Sequence, residues 1–173
     1  MSVVDWLTAS RVLLTVPVLA LWLSPGAEAR WWGLAVFVLA GLTDFADGRL
    51  ARRLGRTTRL GAYLDPLADK VLVLGTAAAL VAGGRLSAWV YLVVLVRELA
   101  VMGLRSVLPP GVHMPASLAA KWKTTVQMVA VGASAVLARQ GAAALVTAGL
   151  WALAVVLTIG SGWQYFRRFW GAV

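Results

Sequence analysis

The stretch "TDFADGRLARRLGRTTRLGAYLDPLADK", Thr43 to Lys70, concentrates charge in an otherwise apolar chain. The 173 residues are 61% hydrophobic with a mean hydropathy of +0.82, yet this stretch holds four of the seven acidic residues and six of the sixteen basic ones. Its acidic residues form two pairs at helical spacing, Asp44 with Asp47 and Asp65 with Asp69. Residues three or four apart share one face of a helix, so each pair is expected to present two carboxylates together.

The remainder of the chain predicts an all-α integral membrane protein. Charged residues make up 13% of the sequence, about half the usual share in soluble proteins. A membrane-spanning helix needs about 20 mostly apolar residues, and segments of that kind recur six times. We therefore predict a single domain, residues 1–173, folded as a bundle of six transmembrane helices. The predicted spans are 7–24, 31–48, 65–83, 86–106, 118–138 and 142–166.

Basic residues predict the orientation of this bundle. They gather between predicted helices 2 and 3, between helices 4 and 5, and at the C-terminus, whereas the opposite loops hold only Arg30, Arg85 and Arg139. By the positive-inside rule, both termini and the quoted stretch face the cytoplasm, which predicts a cytoplasmic (inner) membrane protein. The net charge of +9 favours anionic lipids as partners. Nucleic acid is disfavoured, because the charges follow the membrane borders.

The four aspartates predict a metal site at this border. A hairpin between the two helices would bring the pairs together, and four carboxylates repel one another unless cations lie between them. Two hard divalent cations, Mg²⁺ or Mn²⁺, suit such oxygen ligands, and without cysteine there are no thiolate sites. Gly48 and Gly61 leave space for a ligand, Ala51 allows close helix packing, and Arg52 offers a planar fork to a diphosphate. This combination predicts phosphoryl-type transfer. The alternative is that arginines pair with the acids structurally, a costly use of charge in a membrane.

Eight residues of the stretch stand at fixed spacing. Their pattern resembles the signature of the CDP-alcohol phosphatidyltransferases: Asp44-x2-Asp47-Gly48-x2-Ala51-Arg52-x8-Gly61-x3-Asp65-x3-Asp69. The resemblance implies a homodimeric six-helix membrane enzyme with two divalent cations, which displaces CMP from a CDP-linked lipid by an alcohol. It also implies that the four aspartates hold the metals, that Asp69 is the general base for the acceptor hydroxyl, and that the other four signature residues line the CDP-lipid site.

Three further segments indicate the acceptor. "LDPLADK" (64–70), "RELAVMGLR" (97–105) and "KWKTTVQM" (121–128) resemble the bacterial phosphatidylglycerophosphate synthase branch, which uses CDP-diacylglycerol and glycerol 3-phosphate. The opening "DWLTASR" (5–11) is similar to that branch but has Asp5 where asparagine is usual, and Met102 replaces a common threonine. The resemblance covers predicted helices 1 to 5.

An acceptor that carries a phosphate needs cationic contacts. The same resemblance implies Arg105, Lys121 and Lys123 for this role, and the alternative is that they serve only as positive-inside charges. Arg97 and Glu98 also allow two interpretations, a structural ion pair to another helix or a part of the polar cavity.

Two rival functions remain open from the sequence. A sibling enzyme could use another acceptor, as a cardiolipin synthase uses phosphatidylglycerol, or as inositol-phosphate and serine enzymes do. A cation-coupled transporter would also need intramembrane acids. Such a transporter is expected to place its acids near the bilayer midplane and often contains internal repeats, whereas this sequence has its acids at one border and no repeat.

Overall fold

Six helices make up the described secondary structure. The computed structural model describes the backbone of residues 3–54, 59–107 and 118–170, and the side chains of residues 12–43, 70–107 and 118–170. The helices are α1 Val3–Leu23, α2 Ala27–Leu54, α3 Arg59–Ala82, α4 Ala88–Val107, α5 Leu118–Val136 and α6 Gly141–Phe169. The prediction of an all-α protein is confirmed for this part of the chain.

The end of α3 illustrates how local sequence stops these helices. The amide of Gly84 donates to the carbonyl of Val81 at 3.0 Å, and the amide of Arg85 donates to the carbonyl of Leu80 at 2.7 Å. These two bonds form a Schellman motif, which requires a left-handed residue just after the helix. Gly84 has φ of +64° and fills that position. The "AGGR" punctuation therefore ends α3 near the predicted residue.

Helices α2 and α3 extend beyond their predicted ends, and this corrects the sequence analysis. The expected connection contained five arginines, but Arg49, Arg52 and Arg53 lie within α2, and Arg59 begins α3. Hydropathy marks where a helix is apolar, whereas arginine and leucine both have high helix propensity although their hydropathies are opposite. The predicted ends therefore followed the polarity of the sequence, while the backbone remains helical through the charged segment.

One described helix, α6, is long and apolar enough to cross a bilayer. Shorter apolar segments occur at Val12–Leu23 and Lys70–Ala82. Helix α4 has only 20 residues and carries Arg97, Glu98 and Arg105, which explains why length and composition alone do not select it. Over the described residues, the other five spans remain predictions.

The described chain forms two compact units, Met1–Arg85 and Leu86–Val173. In the first unit, α1 packs against both α2 and α3. The Trp22 indole donates from Nε1 to the carbonyl of Arg30 at 3.2 Å, and its ring lies 5.5 Å from the ring of Phe37. These contacts fix α1 against the start of α2.

In the second unit, α6 packs against both α4 and α5. Val101 and Leu104 of α4 form a buried cluster with Tyr165 and Phe169 of α6. Farther along α6, Trp151 donates from Nε1 to Ser134 Oγ of α5 at 2.9 Å. The first half of α6 thereby contacts α5 and its last turns contact α4, and the buried Ser161, described below, lies between these contacts. The single-domain prediction for residues 1–173 is untested and stays a prediction.

Candidate functional site

The signature lies on two continuous helices. Asp44 and Asp47 belong to α2, and Asp65 and Asp69 belong to α3. The helical spacing on which the metal prediction depends is therefore present for each pair. The structure describes the backbone of all eight signature residues but not their side chains: Asp44, Asp47, Gly48, Ala51, Arg52, Gly61, Asp65 and Asp69.

The donor set of the signature fits hard divalent cations, because four carboxylates supply only oxygen ligands. Among the described side chains there is no group of three or more acidic, histidine or cysteine residues that could hold a metal. Residues 12–43, 70–107 and 118–170 thus offer no competing site of this kind.

Helix α1 supports both signature helices. In the apolar part of α3, a Cβ placed on Gly75 would lie 3.3 Å from Cγ2 of Thr15, so α1 and α3 approach closely there. One residue later, the hydroxyl of the buried Thr76 donates a hydrogen bond to the carbonyl of Leu72 in the same helix, at 2.7 Å. Small or internally bonded residues therefore let α1 pack tightly on α3, two turns beyond Asp69.

The three residues predicted for the acceptor phosphate have different environments. Arg105 lies exposed in the last turn of α4, and Lys121 lies exposed near the start of α5. Lys123 is only 2% exposed. Two residues turn about 200° around a helix axis, so Lys121 and Lys123 point to opposite sides of α5.

Lys123 belongs to a buried ion cluster, which we define as Arg97, Glu98 and Lys123 with their partners Ser161 and Tyr165. Glu98 Oε1 accepts hydrogen bonds from Lys123 Nζ and, at 3.1 Å, from Arg97 Nη1. Arg97 also donates from Nη2 to Ser161 Oγ at 2.8 Å, and its guanidinium carbon lies 5.8 Å from the centre of the Tyr165 ring. The buried ion cluster therefore joins side chains from α4, α5 and α6.

Burial makes this cluster energetically demanding. Glu98 is 3% exposed and the Arg97 side chain 11% exposed. Removing such charges from water costs several kcal/mol per ion, and only close pairing with further hydrogen bonds offsets that cost. Loss of one partner would leave the others buried without compensation.

The structure resolves the two interpretations of Arg97 and Glu98 in part. An interhelical ion pair is present, and its partner on α5 is Lys123. Sequence reasoning missed this link and the contribution of α6. One signal was available, because Glu98 occupies a helical repeat of buried positions with Val94, Val101 and Leu104. An acid in such a stripe needs a buried cation.

Comparison with known proteins covers both units. The family model described as CDP-alcohol phosphatidyltransferase matches residues 1–160. A Bacillus subtilis protein named CDP-diacylglycerol–glycerol-3-phosphate 3-phosphatidyltransferase is 41% identical over 147 residues, which cover 82% of this chain and 75% of that protein. A Mycobacterium tuberculosis protein named as a probable phosphatidylglycerophosphate synthase is 40% identical over 160 residues, 91% of this chain and 76% of the relative. A Rickettsia typhi protein that carries the Bacillus protein's name is 35% identical, with 94% of each chain covered. The chain belongs to the CDP-alcohol phosphatidyltransferase family.

Proposed function

We propose that this chain transfers the phosphatidyl group of CDP-diacylglycerol to glycerol 3-phosphate, giving phosphatidylglycerophosphate and CMP in phospholipid biosynthesis. The observation that carries the proposal is the complete signature on the two continuous helices α2 and α3. Relatives at 41% and 40% identity are named for this reaction, which supports the choice of donor and acceptor.

The reaction exchanges one bond at phosphorus for another. The acceptor hydroxyl oxygen forms a bond to the phosphorus of the phosphatidyl group, and the bond from that phosphorus to the bridging oxygen breaks. The electron pair of the broken bond leaves on a phosphate oxygen of CMP. Removal of the hydroxyl proton needs a base, and we assign that role to a carboxylate oxygen of Asp69, following the family resemblance.

The chain's own residues provide binding sites for metal and donor. Asp44, Asp47 and Asp65, together with Asp69, would hold two divalent cations, Mg²⁺ or Mn²⁺. When bound, such cations neutralise charge on a diphosphate. The remaining signature residues are proposed for the CDP-lipid: Gly48, Ala51, Arg52 and Gly61. Among them, Arg52 supplies a planar donor fork that matches the diphosphate oxygens.

The acceptor is proposed to bind through its phosphate to cations of the second unit. Glycerol 3-phosphate is small and dianionic, so charge-assisted bonds must supply most of its recognition. Arg105 and Lys121 are open to such a ligand. Lys123 contributes its positive charge from the buried side, where Glu98 holds its ammonium group.

We further propose a homodimer of six-span bundles in the bacterial inner membrane, with both termini and the active site at the cytoplasmic face. The apolar character of α6 supports the membrane assignment. Arg105 ends α4, and Arg167 and Arg168 end α6, which is the charge distribution that the positive-inside rule associates with cytoplasmic helix ends. Anionic lipids are the proposed partners of these basic ends.

A panel of acceptors tests the proposed reaction. Purified protein is incubated with CDP-diacylglycerol and one acceptor at a time: glycerol 3-phosphate, phosphatidylglycerol, inositol phosphate or serine. We expect a new lipid product only in the reaction whose acceptor is glycerol 3-phosphate. Cardiolipin formed from phosphatidylglycerol would indicate the sibling enzyme instead, and cation uptake into vesicles without any lipid product would indicate a transporter.

A further inference from the structure

Glu98 is an acidic residue on a buried face of α4 that is otherwise apolar. Its neighbours on the buried face of α4 are Val94, Val101 and Leu104. Buried ion pairs are often no more stabilising than well-packed apolar residues of similar volume. Ionisable residues inside membrane helices more commonly serve a function. Stability alone therefore explains this carboxylate poorly.

Glu98 forms ion pairs with two cations at once. Its Oε1 atom accepts from both Lys123 Nζ and Arg97 Nη1, so the two positive groups meet at one oxygen. Arg97 is held from its other side by Ser161, and it passes so close to Gly162 that an added Cβ would lie 3.2 Å from Arg97 Cγ. Arg97 of α4 bonds to Ser161 of α6, and Lys123 belongs to α5, so Glu98 contacts both cations through which α4 meets these two helices.

The proposed acceptor contacts lie a short distance from this point. Arg105 follows Glu98 by seven residues, which is two turns or about 10 Å along α4. Lys121 precedes Lys123 by two residues, or about 3 Å along α5. If the carboxylate charge is lost, the ion pair that joins Lys123, near the start of α5, directly to α4 is lost with it. Contacts to a small dianion depend strongly on such placement.

We propose that Glu98 is a positioning residue for acceptor binding, which acts through Lys123 and the ends of α4 and α5 without touching the substrates. This inference rests on the proposed function, because it assumes that the cations of α4 and α5 bind the acceptor phosphate. It assigns to Glu98 an effect on the acceptor alone, with the CDP-lipid site unchanged.

Michaelis constants of matched variants test this role. Glu98→Gln keeps the side-chain volume and removes the charge, and Glu98→Asp keeps the charge but shortens its reach. Ser134→Ala is the control, because it removes a different buried bond of α5, the 2.9 Å bond to Trp151. For each variant the KM of glycerol 3-phosphate, the KM of CDP-diacylglycerol and the thermal midpoint in detergent are measured.

We expect Glu98→Gln to raise the KM of glycerol 3-phosphate about tenfold or more, because Lys123 would no longer be held in place and the charge-assisted contacts to the acceptor phosphate would be weakened. The KM of CDP-diacylglycerol should stay within about twofold of wild type. Glu98→Asp should give a smaller change in the same direction. Ser134→Ala should lower the thermal midpoint and leave both Michaelis constants unchanged. If Glu98→Gln does not fold, the selective KM change of Glu98→Asp decides the question.

Lys123→Ala separates this inference from the proposed function on which it rests. If Glu98 acts through Lys123, the Glu98→Gln, Lys123→Ala double variant should have the same acceptor KM as Lys123→Ala, because both changes disrupt the same interaction. A raised acceptor KM in Lys123→Ala with wild-type values in both Glu98 variants would overturn the positioning role and leave the proposed function standing. Unchanged acceptor kinetics in Lys123→Ala, Lys121→Ala and Arg105→Ala would instead overturn the assignment of the acceptor site, and this inference with it.

Discussion

At the scale of single residues, the four signature aspartates have the same side chain but different proposed roles. Asp44, Asp47 and Asp65 are proposed only as metal ligands, whereas Asp69 also accepts a proton. A carboxylate bound tightly to a cation is a weak base, so the two roles of Asp69 require different oxygens or a loose contact. Substitution by asparagine keeps the size of each side chain and removes its charge, and the proposed roles predict different kinetic results.

The ligand role predicts that Asp44→Asn, Asp47→Asn and Asp65→Asn each abolish turnover while the protein remains extractable in folded form. Chelation with EDTA should have the same effect and Mg²⁺ should reverse it. Release of CMP is the measurement. Glu28→Gln is the matched control, because Glu28 is an exposed acid in the first turn of the same helix, α2. Substantial activity in the presence of EDTA would be incompatible with the metal site.

The base role predicts a different profile for Asp69→Asn. Its kcat should fall by roughly a hundred to ten thousand fold, the usual contribution of a general base. Binding of CDP-diacylglycerol in the presence of Mg²⁺, measured directly, should change far less, since proton removal matters only in the transition state. Complete loss of CDP-lipid binding would make Asp69 an essential ligand and not a base.

At the scale of helices, the cationic side chains of α4 and α5 lie in two different environments, exposed and buried. Arg105 and Lys121 are exposed, whereas Lys123 faces Glu98. Sequence alone could place all three near a membrane border, because each stands next to an apolar run. It could not separate them, since a topological charge, a phosphate contact and a buried counter-ion all use the same side chain. The helical repeat of α4 identifies Glu98 as buried, but its partner depends on how the helices pack.

The exposed pair predicts a selective defect in acceptor kinetics. Arg105→Ala and Lys121→Ala should each raise the KM of glycerol 3-phosphate about tenfold or more and leave the KM of CDP-diacylglycerol nearly unchanged. Arg167→Ala provides the control, as another exposed arginine at a proposed cytoplasmic helix end. Equal changes in all three variants would mean that general surface charge, and not a specific contact, attracts the acceptor.

Two glycines of α6 test the packing of the buried ion cluster. An added Cβ at Gly162 would lie 3.2 Å from Arg97 Cγ, whereas nothing lies within 4 Å of one at Gly160. Arg97 cannot yield easily because Ser161 and Glu98 hold its guanidinium group. Both substitutions gain the helix preference of alanine, so Gly162→Ala should be less stable than Gly160→Ala by about 1 kcal/mol or more, the cost of the close contact with Arg97. Gly160→Ala should be neutral or stabilising, since alanine favours helix. Thermal midpoints in detergent measure both, and equal midpoints would show that Arg97 is free to move.

At the scale of the whole molecule, the sequence predicted helix number and class better than helix ends. Apolar runs of spanning length mark six helices because membrane segments must satisfy their backbone internally. The ends of α2 and α3 were wrong because hydropathy falls at the charged signature while the helical backbone continues to Leu54 and resumes at Arg59. The two acidic pairs were accessible to sequence reasoning because their spacing is helical, and the complete signature was recognised through its resemblance to the family. The three-helix ion cluster was not accessible, because its hydrogen bonds join residues up to 64 positions apart.

The central claim is tested most directly by following both products of one reaction. Purified protein is reconstituted with CDP-diacylglycerol labelled in its phosphatidyl group, and glycerol 3-phosphate is then added. We predict that labelled phosphatidylglycerophosphate and CMP appear together in equal amounts, only after the acceptor is added. Release of CMP that does not depend on glycerol 3-phosphate, or label that appears in a different lipid, would contradict the proposed transfer.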